Sequence, residues 1–194
     1  MNSDFATLET PDGVHQHRSR LLEGLALAMA RKGYADTTIA DIVREAAVSR
    51  RTFYEHFTTK ADCLVALYGA ASHNVLKVLR QAVDPERDWE RQVEGALRAY
   101  LGAMASNPLL MRTLFVEILH LGEEGLAARR RNNQEIVDYM LEVIGRERLT
   151  PELAMAVVGG INELVLQAIE QGRVERLAEL TPTASALVRA VVHR

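Results

Sequence analysis

The sequence is poor in cysteine, aromatic residues, proline and glycine. Its single cysteine, Cys63, excludes an internal disulfide, and we expect a reducing compartment in which this thiol is a buried core residue. Aromatic residues make up 5% of the 194 residues, with 12 glycines and 5 prolines, whereas 48% of the residues are apolar. This composition, with no segment of alternating apolar and polar residues, predicts an all-α fold.

Membrane, secretion and catalytic signals are also lacking. No segment is long and apolar enough to predict a membrane span, and no charged start followed by an apolar stretch indicates a secretion signal, so we expect a cytoplasmic protein. The six histidines are not spaced as metal ligands, and the chain contains no nucleophile elbow, phosphate loop or cysteine cluster. The sequence therefore predicts a protein that is not an enzyme and has no cofactor or metal.

Charge is distributed unevenly along the chain. The formal net charge of −3 by itself argues weakly against a nucleic-acid partner. Residues 14–60, however, carry eight Lys or Arg against five Asp or Glu, a net charge of +3, so the remainder carries −6. A basic segment attached to an acidic remainder favours oriented, salt-dependent binding to DNA.

Capping residues mark three successive helix starts in the segment 33–60. Each start has a Ser or Thr whose side-chain oxygen accepts from an orphan backbone N–H, and two starts also have an Asp three residues later. The helix between the second and third starts covers only about residues 50–56 and follows a three-residue turn, which is typical of a helix-turn-helix. The capping residues are Thr38 with Asp41, Ser49, and Thr59 with Asp62.

Arg50 and Arg51 would lie on the first turn of this short helix. The N-terminal residues of such a helix enter the major groove, where a planar guanidinium donates two hydrogen bonds to guanine O6 and N7. Nearby hydroxyl, phenol, imidazole and ammonium groups are suitable donors to phosphate. The alternative is that these side chains form an ordinary solvated face. The predicted DNA-binding residues are Thr38, Ser49, Arg50, Arg51, Thr52, Tyr54, His56 and Lys60.

Residues 18–67 resemble the DNA-binding domain of the TetR family of transcriptional regulators. The segments GYADTT at 33–38 and VSRRTFYEHF at 48–57 match that family's pattern in order. The resemblance implies a homodimer of all-α subunits, each with an N-terminal three-helix reader and a larger C-terminal domain for ligand sensing and dimerisation. One departure is Ala47, since the family usually has glycine there, the residue best suited to a left-handed conformation. The DNA-contacting positions implied by the resemblance are Thr38, Arg50, Arg51, Thr52, Tyr54, His56 and Lys60.

The remaining stop signals divide the chain into domains and further helices. We expect a flexible arm over residues 1–13, a helix-turn-helix domain over 14–60 and a helical regulatory and dimerisation domain over 61–194. A long helix over 60–83 starts in the reader and ends in the second domain, which makes it a natural lever between them. The predicted helices, about nine in all, cover approximately residues 17–31, 39–46, 50–56, 60–83, 89–106, 109–121, 123–148, 151–171 and 182–193.

The last two predicted helices have broad apolar faces, and Gly159 with Gly160 would let another backbone come close. We therefore expect a homodimer through the helices at 151–171 and 182–193, packed as four helices about a two-fold axis. Two readers roughly 34 Å apart match a palindromic DNA operator. A small molecule that prefers a form with a different reader spacing would release the DNA.

A cavity for this small molecule is expected under the helix over 60–83. For each apolar candidate the alternative is plain core packing, and for His120 it is a capping or surface role near Gly122. The arginine run at 129–131 is expected to be a solvated helix face. The candidate ligand-binding residues are Trp89, Tyr100, Met104, Met111, Phe115, Glu117, His120, Tyr139, Met155 and Asn162.

Three other functions are compatible with these patterns. An activator would use the same reader domain. A helical small-molecule-binding protein would retain the reader without using it, and an enzyme would need a buried acid such as Glu117 or Glu163 in the cavity. Loss of operator binding on replacing the arginine pair separates the regulator from the last two.

Overall fold

The fold is a set of helices in a computed structural model that describes residues 13–83, 86 and 88–192. Within these residues there are nine α-helices, two 3₁₀ helices and no strand, so the predicted all-α class is confirmed. The α-helices are α1 (Gly13–Asp36), α2 (Ile39–Ala46), α3 (Arg50–His56), α4 (Lys60–Ala82), α5 (Trp89–Ala105), α6 (Pro108–Phe115), α7 (Glu123–Ile144), α8 (Pro151–Glu170) and α9 (Thr181–Val192), and the 3₁₀ helices are Glu117–Leu121 and Val174–Leu180.

Helices α2, α3 and α4 begin and end close to the predicted positions because their caps form. The side chains of Thr38, Ser49 and Thr59 each accept a hydrogen bond from a backbone N–H of the following turn. Helix α1 differs: it begins at Gly13, four residues before the predicted start, and Gly33, with φ +76°, interrupts it before a last turn. Residues 1–12 of the predicted flexible arm lie outside the described residues.

The reader core lies where α1, α2, α3 and α4 meet. The apolar stripe of each helix is buried there, as expected for amphipathic helices. The fully buried residues are Leu21, Leu25, Ile42, Phe53 and Leu64. Cys63 is also fully buried, as predicted, and burial raises the pKa of its thiol to about 12. Because the thiolate is the reactive form of cysteine, a buried thiol with a raised pKa serves to fill the core.

Ala47 ends α2 in the left-handed conformation, with φ +50° and ψ +48°. An L-residue with a Cβ pays roughly 1–2 kcal/mol there, which glycine avoids at a smaller entropic cost. We expect Ala47→Gly to raise the free energy of unfolding by about 1 kcal/mol and the melting temperature by roughly 2–4 °C, measured by thermal denaturation. Ala46→Gly, one residue earlier in helical conformation, is the control and should lower both. A lower melting temperature for Ala47→Gly would contradict this account of the turn.

The C-terminal body consists of α5 to α9 and the two 3₁₀ helices, packed against the second half of α4. Leu101, Ile118, Val137, Val165 and Leu177 are at most 1% exposed and mark its core. Its largest element is α7, which ends at Ile144, four residues before the predicted end. The reason is Gly145, whose φ of +96° terminates the helix.

The apolar pattern at 109–121 predicted a single helix, and this prediction was wrong. The stretch divides into α6 and the 3₁₀ helix Glu117–Leu121, which leads the chain into α7. Gly125 of α7 lies so close to this 3₁₀ helix that a Cβ would stand 1.9 Å from the Ile118 carbonyl oxygen. Glycine is therefore required at this crossing, and the 3₁₀ helix is fixed against α7.

Helix α8 meets the length and composition expected of a membrane span, and 44% of its most apolar window is buried against other helices of the described chain. A core helix of a soluble protein meets the same test. Its buried side includes Val157, Ile161 and Val165, whereas Gly159 is exposed on another side and Leu153 is exposed in the first turn.

Candidate DNA-binding surface and ligand cavity

The surface of α3 is formed by side chains that the Ser49 cap holds in position. The Ser49 hydroxyl accepts from the Thr52 backbone N–H at 3.0 Å and also lies 2.9 Å from the Thr52 hydroxyl. Arg50 and Arg51 follow this cap, and both are exposed. The Arg51 side chain is 89% exposed, and its Nε donates to Glu55 Oε1 at 3.0 Å. Because an exposed pair of this kind contributes little, a DNA group can replace Glu55 at small cost.

The other predicted DNA-binding side chains of α3 differ in how exposed they are. Tyr54 is 59% exposed, which is unusual for a large aromatic residue and leaves its hydroxyl available to a partner. His56 is half-buried and stands edge-to-face with His17 of α1, with the ring centroids 6.5 Å apart. The residues from Ser49 to Tyr54 therefore include the freely presented groups, and His56 also helps to pack α1.

The start of α2 is fixed by an ionic cluster around Asp41. Thr38 donates to the Asp41 carboxylate from its backbone N–H at 2.9 Å and from its hydroxyl at 2.6 Å. Lys32 lies 2.5 Å from the same carboxylate, and Arg44 donates to it at 2.9 Å. These contacts, that of Lys32 above all, hold the pKa of Asp41 well below its usual range. Asp41 is thus an anion, and Thr38 is held rigidly at the exposed end of α2.

Lys60 is bound within the reader itself. Its Nζ donates to the backbone carbonyls of Tyr34 at 2.7 Å and Thr37 at 2.8 Å, and lies 4.1 Å from the centre of the Tyr34 ring. Burial lowers the pKa of this ammonium. Lys60 therefore closes the turn between α1 and α2, a structural role that the sequence did not predict.

Three of the ligand candidates, Tyr100, Tyr139 and Asn162, line a first cavity of about 70 Å³ within the body, which we call the apolar chamber. Helices α4, α5, α7, α8 and α9 all contribute to its wall, and nearly all of that wall is aliphatic or aromatic. The Tyr139 hydroxyl, at its edge, donates to the Leu79 carbonyl at 3.3 Å. The lining residues are Leu79, Val83, Gln92, Val93, Ala96, Leu97, Tyr100, Ile136, Tyr139, Met140, Val143, Ile144, Val158, Ile161, Asn162 and Val188.

A second cavity of about 40 Å³, the polar compartment, adjoins the chamber and shares Tyr100, Ile136 and Asn162 with it. Asn162 donates to Asn133 Oδ1 at 3.2 Å, and Asn132 donates to the Tyr68 hydroxyl at 3.4 Å. The lining residues are Tyr68, Ala71, Ser72, Val75, Tyr100, Met104, Met111, Leu114, Phe115, Arg129, Asn132, Asn133, Ile136 and Asn162.

Comparison with known proteins decides the family. Residues 21–67 match the family model described as bacterial regulatory proteins, tetR family, and this range contains the cap, turn and arginine pair described above. The reader is therefore a TetR-family DNA-binding domain. Members of this family are DNA-binding transcription factors, and this chain is a transcriptional regulator of that kind.

Sequence similarity to known proteins extends beyond the reader. The nucleoid occlusion factor SlmA of Aliivibrio fischeri is 26% identical over 159 residues, which cover 81% of this chain and 80% of that protein. The regulator TtgR of Pseudomonas putida is 36% identical over 58 residues, covering 30% of this chain and 28% of its own. The first similarity therefore includes most of the body, whereas the second is local.

Solved structures share the complete fold. FadR, a fatty acid degradation regulator from Bacillus halodurans, superposes with a TM-score of 0.76 at 16% identity, covering 92% of this chain and 96% of that one. FadR from Bacillus subtilis, solved in complex with stearoyl-CoA, gives a TM-score of 0.72 at 16% identity over 87% and 95% of the two chains. At this identity the likeness concerns the fold alone.

Six of the ten ligand candidates line these two cavities of the body. Tyr139 lines the chamber, and Met104, Met111 and Phe115 line the compartment. Tyr100 and Asn162 line both cavities. These six residues lie together because α5, α6, α7 and α8 turn their apolar sides toward one another.

The other four candidates, Trp89, Met155, Glu117 and His120, line neither cavity. Trp89 and Met155 are half-buried against the core instead. The Glu117 carboxylate pairs with His120 Nδ1 at 3.2 Å, outside the cavities. A Cβ at Gly33 would lie 3.9 Å from Glu117 Oε1, so this carboxylate stands over the turn that Lys60 closes. The pattern placed Glu117 in the apolar stretch correctly but could not reveal that its 3₁₀ helix faces the reader.

The sequence patterns did not predict several residues that contribute to the cavities or to the reader. Arg129 lines the compartment and is half-buried, whereas Arg130 and Arg131 are exposed, so the solvated-face interpretation was wrong for the first of the three. In the reader, Arg20 donates to the Ala47 carbonyl at 2.8 Å and holds the turn. Gly24 lets α1 cross α2 closely, since a Cβ there would meet the Ile42 carbonyl oxygen at 2.7 Å. A helical wheel predicts sides of a helix, and these contacts depend on neighbours distant in sequence.

Proposed function

We propose that this TetR-family regulator is a cytoplasmic homodimeric repressor that binds a palindromic operator and releases it when a small molecule occupies the body. The observation that carries the proposal is that one helix, α4, runs from the core of the reader, on which Arg50 and Arg51 are exposed, to the walls of both cavities. We also propose the division into a helix-turn-helix domain over 14–60 and a regulatory domain over 61–194, with α4 as the connection.

The proposed DNA contacts rest on exposure and rigidity in the reader. Arg50 and Arg51 are exposed immediately after the Ser49 cap, and Thr52 and Tyr54 follow on the same short helix. In this arrangement Arg50 and Arg51 would read base edges, and Ser49, Thr52, Tyr54, His56 and Thr38 would contact phosphate. Lys60 would add its positive charge near the DNA phosphates while it closes the turn between α1 and α2.

The proposed dimer rests on the uncovered sides of α8 and α9. Leu153 is 38% exposed on α8, and Gly159 has no atom within 4 Å of a built Cβ. Ala186 and Ala190 are exposed on α9 beside the half-buried Leu187. Small and apolar side chains on two neighbouring helices allow close packing against the same surface of a second subunit.

The proposed ligand response rests on the path of α4. Its first turns hold Cys63 and Leu64 in the reader core, its middle holds Tyr68 and Ser72 in the compartment, and Leu79 lines the chamber. A helix of 23 residues spans about 35 Å, so a small tilt at the cavity end is magnified at the reader. FadR from Bacillus subtilis, which shares this fold, was solved with stearoyl-CoA, an amphipathic molecule, and this supports a ligand-binding body here.

A spacing experiment tests the repressor. We expect selection from random DNA with the full chain to enrich a palindrome. Inserting five base pairs between its half-sites should weaken binding by about 100-fold or more, because half a helical turn moves the second half-site to the other side of the duplex. Binding is measured by fluorescence anisotropy at fixed salt, with a scrambled duplex of equal length as control. Enrichment of no palindrome, or indifference to the insertion, would overturn the proposal.

A further inference from the structure

Arg129 is the one strongly basic group in the wall of either cavity, among the residues that the structure describes. Its side chain is half-buried at the polar compartment. No carboxylate pairs with it among the described residues, unlike Arg98 with Glu94 or Arg176 with Glu179. A guanidinium withdrawn from water is costly unless an anion or several acceptors meet it. Arg129 is therefore a cation that borders an internal space and has no counter-ion within residues 13–83, 86 and 88–192.

The groups around Arg129 are suited to an oxyanion. Tyr68, Ser72, Asn132 and Asn133 line the same compartment, and all of them carry N–H or O–H donors. The Arg129 charge is felt at Tyr68, where it opposes the burial that raises the pKa of the phenol. A planar guanidinium beside hydroxyl and amide donors matches the two oxygens of a carboxylate.

The space next to this compartment is suited to a hydrocarbon. The apolar chamber begins at Tyr100, Ile136 and Asn162, which belong to both cavities, and its remaining wall is almost entirely apolar. A molecule that occupied both cavities would therefore have one charged end and one apolar end.

We propose that the effector is an amphipathic carboxylate whose anionic head pairs with Arg129 in the polar compartment and whose hydrocarbon occupies the apolar chamber. This proposal rests on the proposed ligand response and specifies its ligand. The chamber volume of about 70 Å³ is roughly half that of an engineered cavity that holds benzene. A chain of several carbons must therefore move the chamber walls, which include Leu79 of α4, and binding favours a second conformation.

The experiment uses octanoate as probe, with 1-octanol as its uncharged counterpart of equal chain length. Binding to the full-length protein is measured by calorimetry at neutral pH. We expect octanoate to bind at least tenfold more tightly than 1-octanol, because only the carboxylate satisfies Arg129. Arg129→Gln should abolish this preference and leave the affinity for 1-octanol within about twofold. Retained 1-octanol binding shows that the variant still forms the chamber.

Arg130→Gln is the matched control, because it removes the same charge from the neighbouring, exposed position on α7. It should keep the preference for octanoate. Arg129→Lys should restore part of it, since it retains the charge without the planar fork. If octanoate does not bind at millimolar concentration, or if Arg129→Gln and Arg130→Gln keep the preference equally, the proposed head-group site is wrong.

The outcomes for the operator separate this proposal from the broader one. If octanoate binds through Arg129 but leaves operator affinity unchanged, the anion site stands and ligand release fails. If octanoate and 1-octanol release the operator equally in wild type and Arg129→Gln, ligand release stands and the carboxylate class is overturned.

Discussion

Replacing Arg50 and Arg51 together with alanine is expected to weaken operator binding by about 100- to 1,000-fold. Each arginine that donates two bonds to a guanine contributes roughly 1–3 kcal/mol of discrimination, and each 1.4 kcal/mol is tenfold in affinity. Both side chains are exposed beyond the Ser49 cap, so their removal leaves the reader core intact. The loss is measured by anisotropy on the selected operator and on a scrambled duplex, at the same salt concentration. It should be larger on the operator, since base contacts carry the sequence preference.

The matched control for this pair lies in the body. Arg130 and Arg131 are likewise adjacent and exposed, on α7, so Arg130→Ala with Arg131→Ala changes the net charge of the protein by the same amount. This control should alter operator affinity less than about threefold, through long-range charge alone. Equal losses in the two double variants would indicate that general charge, and not base contact, holds the DNA. An unchanged affinity on replacing Arg50 and Arg51 would refute the reader itself.

Gly159→Arg is expected to convert the dimer into a monomer and to reduce operator affinity by more than 100-fold. In one subunit nothing lies within 4 Å of a Cβ at this position, so the new side chain fits the isolated fold. Across a close helix contact it would bring a bulky charge from each subunit to the two-fold axis, where it can neither pack nor be solvated. Operator binding falls because a single half-site loses the effective concentration supplied by its partner. Mass is measured by light scattering during size-exclusion chromatography, and affinity by anisotropy.

Gly69→Arg provides the comparison for this variant. Gly69 is exposed on α4, and again nothing lies within 4 Å of a built Cβ, so the chemical change and the helical setting are the same. We expect this variant to remain dimeric. A dimeric Gly159→Arg protein would place the interface on another surface, whereas loss of the dimer in both variants would mean that the substitution acts through the subunit fold.

The reader could be predicted from the chain almost residue by residue because its signals are local. Thr38 with Asp41 and Thr59 with Asp62 each form within four consecutive residues, and their hydrogen bonds are present where the spacing placed them. The left-handed conformation of Ala47 was instead implied by the family resemblance, because the family usually has glycine at this position. Lys60 shows the limit of such reasoning, because its acceptors at Tyr34 and Thr37 lie more than twenty residues earlier.

The body was less predictable because its functional groups depend on packing. Spacing indicated which sides of α5, α7 and α8 are apolar, and Tyr100, Tyr139 and Asn162 do line the cavities. Spacing did not distinguish Arg129, half-buried at the compartment, from the exposed Arg130 next to it. Nor did it reveal that Glu117 stands over Gly33, since the break after α6 turns that carboxylate toward the reader.

Local chemistry in the chain was therefore sufficient for the boundaries of α2 and α3, the start of α4, and the cap that exposes Arg50 and Arg51. It was also sufficient for the resemblance of the reader to the TetR family, because caps and turns are completed by neighbours along the backbone. The position of the cavities, the placement of the Arg129 guanidinium at the polar compartment and the second role of Lys60 emerged only when the helices were packed together. Each of those features depends on atoms brought together from distant segments, and the periodicity of a single helix contains no information about which distant segment will meet it.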